Sequence, residues 1–255
     1  MCSMQDAARN ARARRAVHAV VPVLACALPA APAAQAETLF SVYTGSSYTR
    51  DSTLHLSQPA AGTGLDLDGV AWDADPFKPA PYYGLRVTHF YDDHPNWGAA
   101  LEFTHYKMYA KTGETVTASG TWRGAPANGA VPMERYVQRF EMSHGVNMLS
   151  INGVYRWLDT GLAAGRLEPY AGAGLAYYLP HAESTVGNVQ HATGYDGAGF
   201  GLHLFAGARY LLTERIGAFA ELKFDGGNAK VGIADGNAET RVRSFHAVAG
   251  VSFRF

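Results

Sequence analysis

The sequence predicts an all-β chain, an eight-stranded antiparallel up-and-down transmembrane β-barrel, and three observations carry that prediction. The first is the last stretch, Arg241 to Phe255, in which Phe245, Ala247, Ala249, Val251, Phe253 and Phe255 alternate with Ser244, His246, Val248, Gly250, Ser252 and Arg254. Side chains alternate across a strand, so one face is wholly apolar and the other mostly polar, the pattern that lipid outside and a polar lumen inside require. The second is repetition: alternating segments recur, and the gaps between them exchange short for long, as tight turns on one side of a membrane and long loops on the other. A lone final strand in a soluble β-sandwich would not repeat in this way. The third is composition, with 28 glycines, 14 tyrosines and 12 phenylalanines suited to close-packed strands and aromatic girdles. A mean hydropathy of -0.11 agrees, because alternating apolar and polar residues cancel in any average.

The N-terminus reads as an export signal. Arg9, Arg12, Arg14 and Arg15 precede an apolar stretch from Ala16 to Leu28, and Ala34-Gln35-Ala36 offers a small-x-small cleavage site before Glu37. Residues 1–36 are therefore expected to be a cleaved signal peptide and 37–255 the barrel. Val23-Leu24-Ala25-Cys26 is a partial lipobox that Leu24 fits poorly, so cleavage after Ala36 is preferred. Cys2 and Cys26 both leave with the signal, which excludes a disulfide or thiolate metal site in the mature chain. Four of the 21 basic and one of the 22 acidic residues leave as well, giving 17 against 21 and a mature charge near −4. No nucleic-acid footprint follows from that balance. The aromatic last residue, with Phe253 two before it, resembles the C-terminal signal of bacterial outer-membrane barrels, so the expected location is the cell outer membrane. The barrel assembly machinery is the expected partner during biogenesis, and outer-membrane lipids the expected surroundings.

Taken in order, the first strand is predicted from Thr38 to Tyr48, with Phe40, Val42 and Thr44 outward. A long loop follows to Pro81, with some strand extension at Leu65 to Asp73. The second strand, Tyr82 to Tyr91, puts Tyr83, Leu85 and Val87 on lipid and Arg86 inside, and Asp92 to Asn96 make a tight turn. The third, Trp97 to Tyr109, faces Trp97, Ala99, Leu101 and Phe103 outward. After a second long loop comes a fourth strand, Glu141 to Trp157, whose early half alternates poorly and suggests a bulge. The fifth strand is Pro169 to Tyr178, with Gly172 and Gly174 leaving room for bulky neighbours. The sixth is Gly201 to Leu212, and the seventh has Glu221, Lys223 and Asp225 inward. A loop from Gly226 to Glu239 leads to the closing strand. Eight strands enclose an interior that side chains fill, not a pore.

Charged residues predicted to face inward, among them Arg86, Glu102, Glu221 and Lys223, are expected to neutralise one another as structural filling. His203 and His246 are expected to be neutral and hydrogen-bonded. More informative is a polar break in the outward series of the third strand, which continues from Phe103 to His105 and Lys107. Counting the nine to eleven residues needed to cross places both at the outer-leaflet interface. Lys107 there could hold a phosphate and His105 could act on a sugar, the alternative being that both snorkel into the headgroup layer. Near the same rim, Pro180-His181-Ala182-Glu183 and Glu141, Ser143 and His144 could hold a divalent ion.

Several stretches carry a family resemblance: Leu67-Asp-Gly-Val-Ala-Trp72, Pro81-Tyr-Tyr-Gly-Leu-Arg86, Asn96-Trp-Gly98 with Leu101-Glu-Phe103, His105 and Lys107, Asn147-Met-Leu149, Pro169-Tyr-Ala-Gly172 and Pro180-His181. Together they resemble the outer-membrane lipid A oxidase family over nearly the whole mature chain. The resemblance implies oxidation of the proximal glucosamine of lipid A to 2-aminogluconate, with O2 as co-substrate and peroxide as by-product. The expected catalytic residues are His105, His181 and Glu183. Lys107, Glu141, Trp72 and Tyr82 are expected to bind the lipid A, part of lipopolysaccharide, and a divalent metal of unknown identity is the candidate cofactor. The resemblance counts against His144 as a ligand, and the expected site leaves it out. The alternative function is a non-enzymatic, opacity-like barrel for adhesion or envelope structure.

Overall fold

A computed structural model describes residues 37–195 and 197–255. The expected signal peptide, residues 1–36, lies outside the described residues. Eight strands build the barrel: β1 (Glu37–Thr49), β2 (Tyr83–Phe90), β3 (Trp97–His105), β4 (Met148–Arg156), β5 (Leu167–Tyr178), β6 (Gly199–Leu211), β7 (Ile216–Ile233) and β8 (Gly236–Arg254). Each pairs antiparallel with the next. The first and last strands close the cylinder, in register from Leu39 opposite Arg254 to Thr49 opposite Ser244.

The alternation sorts as expected. Val42, Leu85, Leu101, Ile151, Leu175, Leu204, Leu222 and Phe245 stand exposed on the outer wall. Their neighbours in sequence point into a filled lumen. Aromatic rows bound this apolar belt, as in membrane barrels. At one end Trp97, Tyr155 and Trp157 pack edge to face, with centroids 4.8 and 5.0 Å apart. At the other, Tyr177 lies against Phe200 at 4.8 Å and Phe224 against Phe245 at 5.1 Å.

Three buried networks fill the lumen. Near the chain start, Arg156, Arg209 and Arg254 converge on Glu37 at 2.6, 3.1 and 2.9 Å. In the middle, Arg86 bridges Glu102 (2.8 Å) and Glu221 (2.6 Å), while Lys223 pairs with both carboxylates and donates to the Tyr43 hydroxyl at 2.9 Å. Towards the long-loop end, Asp225 accepts from Tyr106 (3.0 Å) and Tyr178 (2.7 Å) and pairs with His246 Nε2 at 2.6 Å. His203 Nδ1 is bonded to Asn152 at 2.9 Å. Buried charges need this kind of mutual satisfaction, and the structural reading accounts for the ion pairs; His203 Nε2 is buried without a hydrogen-bond partner among the described residues.

The long loops differ from expectation. Much of their length is strand, and they fold into a two-sheet cap over the open end. One sheet extends the barrel: Ser52–Gln58 pairs with Asn237–Thr240 of β8, and Thr63–Val70, Thr115–Trp122 and Gly129–Pro132 follow in turn. The segment read as a fourth loop is the outer half of the β7–β8 hairpin, paired as far as Ile233 opposite Gly236. The other sheet holds Trp72–Asp73, Met108–Ala110, Val137–Met142, His181–Val186 and Val189–Tyr195. Leu54, Leu56, Leu65, Leu67 and Val116 of the first sheet share an apolar core with Met108, Phe140, Met142 and Val186 of the second. Asp66 and Asp68 point away from this core to His55 and Thr53, both at 2.6 Å. The expected fourth strand from Glu141 is likewise corrected: Val137–Met142 belongs to the cap, and a turn through Gly145 and Asn147 separates it from β4. That turn places the candidate site.

Candidate functional site at the outer rim

On the outer wall, where β2 begins, β3 and β5 end and the cap starts, a groove opens sideways. Tyr83, Phe103, Leu179 and Tyr195 give it apolar and aromatic walls, and His105, His144 and Asn147 give it polar atoms. Phe103 belongs to the lipid-facing series and Tyr195 is 62% exposed, so the groove spans the edge of the apolar belt.

His105 is the last residue of β3. Its ring stacks on Tyr83 with centroids 4.9 Å apart and planes 17° from parallel. Nδ1 lies 2.9 Å from Asn147 Oδ1, and Asn147 Nδ2 donates in turn to the Leu179 carbonyl at 3.2 Å. An amide oxygen only accepts, so this contact puts a proton on Nδ1; Nε2 is buried, with no close hydrogen bond among the described residues, and the Ala80 carbonyl lies beside the ring. A neutral imidazole held in that tautomer is equipped to take a proton. The turn that presents Asn147 passes close by: Gly145 has φ +103°, and a Cβ there would come within 2.3 Å of His105 Nδ1. Gly145→Ala is therefore expected to shift His105 and weaken the site while leaving the barrel closed, read as lost activity with unchanged heat-modifiable migration in electrophoresis.

Beside this histidine, on the outward face of the second cap sheet, His181 and Glu183 stand two residues apart on one strand and so on one face. His144, from the turn, joins them, with Nδ1 3.2 Å from Glu183 Oε1; His181 Nε2 is 3.8 Å from the same oxygen. Glu141 is the cross-strand partner of Glu183. Arg139 lies between the two carboxylates, donating to Glu141 Oε1 at 2.6 Å and to Glu183 Oε2 at 2.5 Å. Burial alone would raise the Glu141 carboxyl, but the hydrogen bond and charge of Arg139 hold it below the usual carboxylate range. This ion pair is thus present above that range and is lost as pH falls through the lowered pKa.

Measured against the expected site, His105, His181, Glu183 and Glu141 come together at one rim. His144, left out on the strength of the resemblance, is part of the cluster, and Arg139 and Asn147 are additions the sequence did not signal. Three expectations need correction. His105 and Lys107 do not project from the wall, because the loop before β2 and the turn before β4 cover them. Lys107 is 2% exposed and donates to the Lys78 carbonyl at 2.9 Å, so it offers no free ammonium to a phosphate. Trp72 and Tyr82 are not at the groove: Trp72 donates to Ser52 inside the cap at 2.9 Å, and the Tyr82 hydroxyl meets His246 inside the barrel at 3.1 Å. Of the neighbouring tyrosines it is Tyr83, not Tyr82, whose ring is exposed at the groove.

The closed cylinder, its apolar belt and its aromatic rows define the class: the chain is an eight-stranded bacterial outer-membrane β-barrel. No family model matches the sequence, and no curated protein matches it. Among solved structures it is similar to the outer membrane protein OprG from Pseudomonas aeruginosa, with 14% identity, 86% of this chain and 95% of that one covered, and a TM-score of 0.49. It is also similar to Neisserial surface protein A, with 16% identity, 87% and 99% covered, and a TM-score of 0.41.

Proposed function

We propose that this barrel oxidises the reducing-end glucosamine of lipid A to 2-aminogluconate with O2, taking the lipid sideways from the outer leaflet into the rim groove. The observation that carries the reading is the meeting, at one rim of the barrel, of an apolar and aromatic groove with a cluster of imidazoles and a carboxylate. An amphiphile whose sugar carries acyl chains needs both surfaces side by side. Acyl chains lie against Phe103 and the belt below it, and the sugar faces His105. In the reaction the sugar C1 loses its C–H hydrogen and the hydroxyl proton, O2 takes up both electrons and both protons to become hydrogen peroxide, and water opens the resulting lactone to the acid. The His105 imidazole, which lines the groove, takes the hydroxyl proton.

The test is the mass of lipid A from an outer membrane that lacks this activity until the protein is expressed there. A gain of one oxygen in air, absent under anaerobic growth, is the expected result; no gain in air removes the reading. The adhesion alternative draws on one observation: Val189–Tyr195 is an exposed edge strand of the cap, open to pairing with a partner strand. It predicts partner binding with lipid A unchanged.

A further inference from the structure

We propose that His144, His181 and Glu183 form a mononuclear iron(II) site of the 2-His-1-carboxylate type. The choice of iron rests on the oxidase reading; the existence of a divalent-metal site does not. Each residue supplies one ligand atom, and the three lie within 4.8 Å of one another. Donors about 2.1 Å from one ion and at right angles are about 3 Å apart. The 3.2 and 3.8 Å separations from Glu183 Oε1 lie close to that, and the exposed His144 side chain has room to close the rest of the triangle, whose longest side is at most 4.8 Å.

The surroundings fit a ligand set. Arg139 occupies Glu183 Oε2, leaving Oε1 directed at both imidazoles. A carboxylate fixed from behind in this way is the usual support of a metal ligand. Three protein donors leave open positions, and the half-exposed flank of the cluster gives small molecules access to them. Two imidazoles and one carboxylate with open positions are the donor set of iron(II) sites that use O2. Zinc binds such donors tightly but carries no redox chemistry. Residues 37–255 contain no cysteine, so thiolate ligation cannot supply the redox centre. Iron(II) in this place supplies the one-electron steps through which O2 can react with a closed-shell sugar.

The experiment uses tag-free protein in detergent micelles, stripped with chelator and titrated anaerobically with iron(II), and separately with cobalt(II) for its visible absorption. The expected result is one ion per chain, with affinity falling by more than the roughly 10- to 100-fold that loss of an outer-shell partner costs in His181→Ala, Glu183→Ala and His144→Ala. His191→Ala, on the neighbouring strand and outside the cluster, is expected to bind as the wild type does. Heat-modifiable migration and the cobalt spectrum separate a lost ligand from a misfolded chain. Equal binding by wild type and the three ligand variants, or none by the folded wild type, overturns the site. One bound ion without oxygen gain on lipid A supports the site and removes the oxidase. Oxygen gain by fully stripped protein overturns the iron and keeps the oxidase.

Discussion

Replacing His105 with alanine is expected to reduce the rate of oxygen gain on lipid A by about 10²- to 10⁴-fold, the usual contribution of a positioned proton acceptor. The size of the effect follows from how completely the ring is fixed. Tyr83 stacks on one side, Asn147 sets the tautomer, and Gly145 closes on its edge. The substitution removes an imidazole held in place at the groove, while the lumen networks that hold the barrel remain whole. Unchanged heat-modifiable migration with the rate lost is the expected pair of observations. Asn147→Ala, which leaves the imidazole but frees its tautomer, is expected to retain partial activity. Full activity in His105→Ala would discard this residue as the proton acceptor.

Arg86→Met is expected to cost about 3–5 kcal/mol of stability, because it leaves a buried charge uncompensated. Arg86 and Lys223 balance Glu102 and Glu221, all four nearly or fully buried. Removing one cation strands a negative charge among side chains that are nearly or fully buried. The double variant Arg86→Met, Glu221→Gln leaves Lys223 paired with Glu102 and is expected to recover much of the loss, so the two changes should be strongly non-additive. Urea unfolding of the barrel in micelles reads both. Additive losses would mean that the four groups do not act as one neutral unit.

The barrel strands were legible because each is half in lipid and half in a polar lumen, which writes a period of two directly into the sequence. In β7, Ala220 and Leu222 outward against Glu221 and Lys223 inward needed no partner to be read. The cap was not legible, since its strands are short and pair over great distances: Leu56 meets Ala238. The alternation of Leu54 and Leu56, or of Leu65 and Leu67, is too brief between turn formers to stand out. Lys107 was misplaced because the outward series was extended past His105, where β3 ends and 104–108 are all buried. His181 and Glu183 were legible as residues near the rim, but the cap strand that sets them side by side was not. His144 reaches them only through a turn built on a positive φ at Asn147, which no periodicity announces.

The cluster is expected to lie at the lipid–water boundary, on a wall reached from the membrane. With no cysteine in 37–255, single cysteines can be introduced and spin-labelled cleanly. Electron paramagnetic resonance in bilayers, comparing relaxation by O2 with relaxation by a water-soluble nickel chelate, then reads the depth of each site. A label at Leu101→Cys should respond mainly to O2, one at Val189→Cys mainly to the chelate, and one at Tyr195→Cys to both. A label at residue 195 that responds to the chelate alone, as freely as residue 189 does, would place the groove out in solvent and contradict the account.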